Sequence, residues 1–217
     1  MSKYLTKWET AAAYNAAKDN LPTPQVAYIE ETNGVAYQPY VPTPPTPSHE
    51  YVDLGLPSGT LWATMNVGAT GMTDYGNYYQ YGKGASEYAA TSGESYYDGT
   101  ENPLAASADT AAQVWGGQWH MPTQTQCEEL TANTTYEWTT INGINGGKFT
   151  AQNGNYVFFP AGGANMSDIG NYFFGLTSSP INGANHVFKR FYLTSSSISI
   201  DDGWRTEGCS VRGVVDA

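Results

Sequence analysis

The sequence has few charged residues, and most of them are acidic. Asp, Glu, Lys and Arg make up 13% of the 217 residues, where about 25% is usual. Nine Lys and Arg stand against 20 Asp and Glu, which gives a net charge of -11. Because nucleic acids and anionic membranes attract basic surfaces, we expect neither as a partner. No apolar run approaches the ~18 residues of a membrane span, so we also expect no membrane insertion.

Cysteine is also scarce. The two cysteines, Cys127 and Cys209, are too few for the disulfide scaffold of a small secreted domain. They are either two small buried hydrophobes or a single bridge between residues 127 and 209.

Small and aromatic residues are abundant. The chain has 24 glycines and 17 tyrosines, with few long helical patterns and many short strand-like runs. This pattern predicts an α+β fold that is mainly β and rich in loops. Surfaces rich in Tyr, Ser and Asn are typical of binding loops, because Tyr offers a large contact area at low entropic cost.

The first 40 residues predict a small appendage. Alanine-rich residues 8–20 predict a short helix, and residues 25–31 and 35–38 predict a β-hairpin around Asn33-Gly34. A helix and one hairpin bury too little apolar surface to fold alone. Residues 1–40 therefore pack either on the rest of the chain or, as an anchor, on another protein. The residues we expect to dock are Trp8, Tyr14, Tyr28, Ile29 and Tyr37.

A proline-rich segment separates this appendage from the rest of the chain. Five prolines lie between Pro39 and Ser48, and such a sequence forms a semi-rigid, extended spacer. We therefore place a linker or stalk at residues 41–49 and a second domain at residues 50–217.

The second domain carries several local signals. Thr123 and Gln126 have capping-box spacing at the start of a helix predicted over residues 122–131, and residues 108–114 predict a shorter helix. Turns are predicted at Asn142-Gly143, Asn145-Gly146 and Asn153-Gly154. Strands are predicted at residues 61–63, 138–141, 147–151, 156–159, 172–179, 188–193 and 197–200.

Four sequence motifs, here called phrases, follow one another along this domain. They are YVDLGLPSGTLWATMNVGA at 51–69, WGGQWHMPT at 115–123, YVFFPAGG at 156–163 and SVRGV at 210–214. Together they resemble the FISUMP domain, a surface domain of gut Bacteroidota and their phages. The resemblance covers the chain from Tyr51 onward and implies a C-type-lectin-like head domain. It also implies that the first strand, at 51–56, pairs with a terminal strand near residues 210–215.

The resemblance, with an N-terminus that lacks the apolar core of a signal peptide, predicts a phage virion surface protein made in the host cytoplasm. We expect a head fibre or decoration protein, a trimer, held by residues 1–40 to the capsid or another virion protein. The head would bind a host-surface glycan or protein. Alternatives are a bacterial surface adhesin, a virion glycan hydrolase and a purely structural role.

In lectin-like display proteins the loops before the last strand form the binding face. Trp204, beside Arg205, is either a hot spot that stacks on a ligand or a loop anchor that folds inward. The predicted ligand-binding residues are Asn182, Asn185, His186, Asp201, Asp202, Trp204 and Arg205.

The sequence offers no set of catalytic residues. No Ser/His/Asp order, zinc spacing, phosphate loop or dinucleotide fingerprint is present. The oxidase relatives of the resembled fold bind copper through a cysteine pair, and neither Cys127 nor Cys209 lies in a similar sequence. Asp201 and Asp202, with Glu207 nearby, read as a solvated turn rather than a calcium site. We therefore expect no enzymatic activity, no cofactor and no metal.

Overall fold

The computed structural model describes residues 5–8, 26–29, 49–88, 101–181 and 184–216. The chain divides into two compact units, Met1–Thr46 and Pro47–Ala217. The division falls inside the proline-rich segment.

In the first unit, strand β1 (Leu5–Trp8) pairs in parallel with strand β2 (Val26–Ile29). The prediction of a strand at β2 is confirmed, but its described partner is β1 rather than residues 35–38. Trp8, which belongs to the helix predicted over residues 8–20, lies instead in β1, with the sequence Leu-Thr-Lys-Trp. The rest of the predicted helix, the second hairpin strand, Tyr14 and Tyr37 lie outside the described residues.

The second unit contains, among its described residues, two helices and nine strands. They are β3 (Tyr51–Asp53), β4 (Leu61–Asn66), α1 (Thr110–Trp115), α2 (Gln124–Asn133), β5 (Thr134–Ile141), β6 (Ile144–Ala151), β7 (Tyr156–Pro160), β8 (Tyr172–Ile181), β9 (Ala184–Thr194), β10 (Ile198–Trp204) and β11 (Arg212–Val215). The strands form three antiparallel sheets in the orders β11-β4-β3, β5-β6-β7 and β10-β9-β8. The prediction of a mainly β fold is confirmed.

In the first of these sheets, strand β4 lies between β3 and β11. Trp62 is the register partner of both Val52 and Val214. The expected direct pairing of residues 51–56 with the terminal strand is therefore wrong. Trp62 and Ala63 in β4 are completely buried. Because β4 is the central strand, both of its edges are paired with neighbouring strands.

In the sheet β5-β6-β7, one turn predicted from local sequence is present and another is not. Asn142 and Gly143 have φ of 50° and 82° and form the two-residue turn between β5 and β6, as Asn-Gly predicts. Asn145-Gly146, predicted as a turn, lies inside β6. A Cβ at Gly146 would lie 2.3 Å from the Phe159 carbonyl oxygen, and one at Gly147 would lie 2.8 Å from the Tyr136 ring. These glycines serve close packing.

Both helices begin at side-chain caps. Thr123 accepts a hydrogen bond from the Gln126 amide at 3.2 Å, and the Gln126 side chain accepts one from the Thr123 amide at 2.8 Å. The predicted capping box is confirmed. Asp109 caps α1 by accepting a hydrogen bond from the Ala112 amide at 3.0 Å. No helix in the described part of the chain is long and apolar enough to cross a membrane.

The core consists of two main clusters of buried side chains. Cys127 belongs to the cluster around Trp62 and Phe159, and Cys209 belongs to the one around Tyr81. Both cysteines are free and buried, and burial raises the pKa of both thiols. They act as small hydrophobic residues, and the alternative of a bridge between them is excluded.

Arg212 is a cation buried inside this core, with 1% of its surface exposed. Its guanidinium donates hydrogen bonds to Asn66 Oδ1 at 2.9 Å, to the Ala63 carbonyl at 2.9 Å and to the Phe158 carbonyl at 2.8 Å. It also lies 4.7 Å from the centre of the Phe159 ring. Burial lowers the pKa of Arg212 to about 9, so the group stays charged at neutral pH. It joins β11 to β4 and β7.

Candidate functional site

Strands β9 and β10 bring several of the predicted site residues to one end of their sheet. Their register pairs Asp201 with Arg190, Asp202 with Lys189 and Trp204 with Val187. Since side chains alternate along a strand, Asp202 and Trp204 point to one face and Asp201 to the other. His186 is exposed and lies next to Val187 in β9. Asn182 and the side chain of Asn185 lie outside the described residues.

Trp204 is the most exposed large apolar side chain in the described part of the chain, at 60% of its surface. It ends β10, and its carbonyl accepts a hydrogen bond from the Glu207 amide at 2.9 Å. Only the backbone of Trp204 is committed to this turn. Of the two readings left open by the sequence, the inward-folded loop anchor is wrong, and the indole is available to a ligand.

Arg205 does not share this exposure, and its assignment to the binding face is corrected. Only 2% of its surface is exposed. Its Nε donates to the Val187 carbonyl at 3.0 Å and its Nη2 to the Ala184 carbonyl at 3.3 Å. The guanidinium also lies 4.8 Å from the centre of the Tyr81 ring. Arg205 therefore ties the turn after β10 to the start of β9.

The two aspartates lie in ion pairs. Asp202 accepts a hydrogen bond from Lys189 Nζ at 2.7 Å. Arg190 donates from Nε to Asp201 at 3.0 Å and from Nη1 to Glu207 at 2.8 Å. Asp201 and Asp202 belong to β10 rather than to a solvated turn, and basic residues of β9 neutralise both.

The Arg190 side chain has two opposing influences on its charge. Burial by itself lowers its pKa, but the hydrogen bond to Asp201 and the charge of Glu207 raise it above the usual value. Gly203 makes room for this arrangement, because a Cβ there would lie 3.0 Å from the Arg190 Cβ. A side chain at position 203 would therefore crowd the ion-paired Arg190.

An aromatic cluster that the sequence did not suggest lies beside Arg190. Phe174 is 4.6 Å from Tyr172 and 4.7 Å from Tyr192 between ring centres, and the Arg190 guanidinium lies 3.8 Å from the centre of the Phe174 ring. One sequence signal could have revealed this cluster. Tyr172 and Phe174 are two positions apart, as are Arg190 and Tyr192, and residues two positions apart lie on one face of a strand.

A loop over residues 164–171 extends this cluster to the surface. The Tyr172 hydroxyl donates to Asp168 Oδ2 at 2.7 Å, and burial together with this bond raises the pKa of Tyr172 to about 12. Asn165, Met166 and Asp168 have φ of 53°, 60° and 58°, a left-handed region that non-glycine residues rarely adopt. Such strained backbone is found preferentially at functional sites.

The same loop exposes two apolar side chains. Met166 is 50% exposed and Ile169 is 48% exposed. The Asn165 amide donates to the Gly208 carbonyl at 2.8 Å, and Asn165 Oδ1 accepts from the Gly208 amide at 2.6 Å. Gly208 follows the turn that Trp204 begins, so these bonds connect the loop to the segment that carries Trp204.

This arrangement offers apolar contact area on a braced backbone. In the described ranges, no group of three or more His, Cys, Asp or Glu residues could hold a metal ion. No family model, curated protein or solved structure matches this chain.

Proposed function

We propose that the chain is a phage virion surface protein, a head fibre or decoration protein, whose second unit binds a glycan on the host surface. The observation that carries the binding part is the 60% exposure of Trp204. A sugar ring has apolar C–H faces, and a flat indole is suited to stack on them. The binding site would therefore be centred on Trp204.

Charged groups near Trp204 complement this stacking surface. Asp202 and Lys189 form an ion pair on the same sheet face as Trp204, whereas His186, next to the register partner of Trp204, points to the opposite face by strand alternation. Carboxylate and ammonium groups can accept from or donate to sugar hydroxyls. The loop with Met166 and Ile169 offers a separate exposed apolar surface.

The virion part of the proposal rests on the four FISUMP-like phrases and the C-type-lectin-like head that they imply. Several phrase residues are buried in this chain, including Trp62, Trp119, Phe159 and Arg212. Such residues serve to specify a scaffold, whereas Trp204 and Met166 lie outside the phrases and are exposed. A fixed interior with a separate binding face suits a display protein.

The proposed attachment uses residues 1–40 as the anchor, with Trp8, Tyr28 and Ile29 in strands β1 and β2. Trimeric display would strengthen weak glycan binding through avidity. Light scattering and capsid-binding assays on the full chain and on a chain beginning at His49 test this part. We expect a trimer that binds capsids, and loss of capsid binding after truncation. A monomeric full chain that ignores capsids would favour the adhesin alternative.

The binding face is tested by Trp204→Ala in the full chain. We expect at least about a tenfold loss of binding to a glycan array and to host cells, because a central aromatic contact is removed. The matched control is Tyr51→Ala, since Tyr51 is also exposed, at 41%, and lies on a different sheet. Equal binding by both variants would contradict the proposal, and hydrolysis of an array glycan would favour the hydrolase alternative.

A further inference from the structure

Three Asn-Gly pairs among the described residues of the second unit have different surroundings. They are Asn142-Gly143 at the turn between β5 and β6, Asn145-Gly146 inside β6 and Asn153-Gly154 before β7. In such a pair the backbone nitrogen of glycine can attack Cγ of the asparagine side chain, because glycine has no Cβ that obstructs the approach. The reaction needs a side chain that can rotate and a backbone nitrogen that is not hydrogen-bonded.

The first pair, Asn142-Gly143, meets both requirements. Both residues are exposed, and a Cβ added at Gly143 would meet no described atom within 4 Å outside its chain neighbours. In the described ranges, neither the Asn142 side chain nor the Gly143 N–H has a hydrogen-bond partner. Asn142 also has a φ of 50°, a left-handed value that costs residues other than glycine conformational energy. Both reacting groups are therefore free to move.

The second pair, Asn145-Gly146, is held in the sheet. Asn145 Oδ1 accepts a hydrogen bond from Thr140 Oγ1 at 2.7 Å, and Asn145 Nδ2 donates to the Gly170 carbonyl at 3.2 Å. Gly146 is buried in β6, between strands β5 and β7. The attacked carbon and the attacking nitrogen are thus both fixed.

The third pair, Asn153-Gly154, is as exposed as the first but is held by hydrogen bonds. Asn153 Oδ1 accepts from the Asn155 amide at 2.9 Å, and Asn153 Nδ2 donates to the Asp53 carbonyl at 3.1 Å. The Gly154 N–H donates to the Ala151 carbonyl at 3.0 Å. This pair separates the effect of hydrogen bonding from that of burial.

We propose that Asn142 is a site of spontaneous deamidation in the folded protein, and that Asn145 and Asn153 are protected. The Gly143 nitrogen forms a bond to Asn142 Cγ, and the bond from Cγ to the side-chain nitrogen breaks. The proton of the Gly143 N–H leaves with that nitrogen as ammonia, and a cyclic imide remains. Water then opens the imide at either carbonyl and leaves aspartate or isoaspartate at position 142. The net reaction consumes water, releases ammonia and involves no redox step.

The fold sets the order of the three rates. Before Asn153 reacts, both hydrogen bonds of its side chain and that of the Gly154 N–H must break. Before Asn145 reacts, both of its hydrogen bonds must break and its buried glycine must leave the sheet. We therefore expect each of these sites to react at least about tenfold more slowly than Asn142. The reaction is independent of the proposed glycan binding.

The test is tandem mass spectrometry of the full chain, read site by site, after incubation in mildly alkaline buffer below its unfolding temperature. We expect aspartate and isoaspartate to accumulate at position 142, while Asn145 and Asn153 stay intact. The same incubation in urea is the control, and all three sites should then react at similar rates. Equal rates at Asn142 and Asn153 in the folded chain would overturn the proposal. So would an intact Asn142 in the folded chain beside a reacted one in urea.

Two variants of the full chain measure the same reaction through its other product. Asp-Gly suits the same turn as Asn-Gly, so Asn142→Asp should fold like the parent. It should release less ammonia than the parent during incubation, by the equivalent that position 142 supplies. The matched control is Asn153→Asp, which changes the other exposed turn and should release as much ammonia as the parent. Equal release from the two variants would overturn the proposal.

Discussion

The interior around Arg212 and the sheet face around Arg190 use the same side chain in opposite ways. Each guanidinium donates several hydrogen bonds and lies over a phenylalanine ring, Phe159 for Arg212 and Phe174 for Arg190. Arg212 has neutral oxygens as its described hydrogen-bond partners and is fully buried, whereas Arg190 pairs with two carboxylates near the surface.

The difference shows what each region requires of a cation. In the interior, hydrogen bonds to Asn66 and to two backbone carbonyls take the place of water, and the geometry of the guanidinium fork matters more than its charge. On the sheet face around Arg190, the partner carboxylates of Asp201 and Glu207 are 40% and 21% exposed. Solvent and salt therefore screen these charges, so opposite charge matters and geometry is less demanding. The same substitution should therefore have different effects in the two places.

The largest expected effect is that of Arg212→Lys. A lysine keeps the charge but cannot reach three acceptors with a planar fork, so buried carbonyls lose their partners. We expect a loss of about 3 kcal/mol or more in the free energy of unfolding, measured by urea denaturation. Arg190→Lys is the matched control and should lose at most about 1 kcal/mol. Equal losses would break the comparison.

An intermediate effect is expected for Arg190→Met, which removes the charge but keeps apolar bulk over Phe174. Asp201 and Glu207 then lose their shared cation, and we expect a loss of about 1–2 kcal/mol at low salt. The loss should shrink in high salt, because screening weakens the pairs in the parent chain. The loss for Arg212→Lys should not change with salt. Urea unfolding of both variants at two salt concentrations measures the contrast.

The smallest effect is expected for Asp202→Asn. Asp202 and Lys189 form an exposed pair, with 59% and 29% of their side-chain surfaces accessible, and such pairs contribute little. We expect a change of at most about 0.5 kcal/mol, measured by thermal unfolding. Asp201→Asn should have a larger effect, because its Arg190 partner is only 12% exposed. The reverse order would show that burial does not rank these ion pairs.

Local sequence predicts the parts of the fold whose causes are local. The capping box at Thr123 and the turn at Asn142-Gly143 depend on residues that lie within a few positions of one another. Asn145-Gly146 is also an Asn-Gly pair but lies inside β6, because Phe158 and Phe159 of strand β7 pack against Gly146. Nothing within a few residues of Gly146 signals that contact.

The candidate sites show the same limit. The sequence could point to Trp204, because an aromatic residue in a polar segment is unusual. It could not separate Trp204 from Arg205, whose burial depends on Tyr81 and on carbonyls at the start of β9.

The position of Arg212 also affects how the protein is made. Its three hydrogen-bond partners precede it by 146, 149 and 54 residues, so a ribosome releases all of them well before Arg212 emerges. Until then β4 lacks one neighbouring strand, and the apolar surface around Trp62 stays exposed to solvent. Folding of this unit must therefore follow the synthesis of β11, and a nascent chain stalled before residue 212 would expose a surface that chaperones recognise.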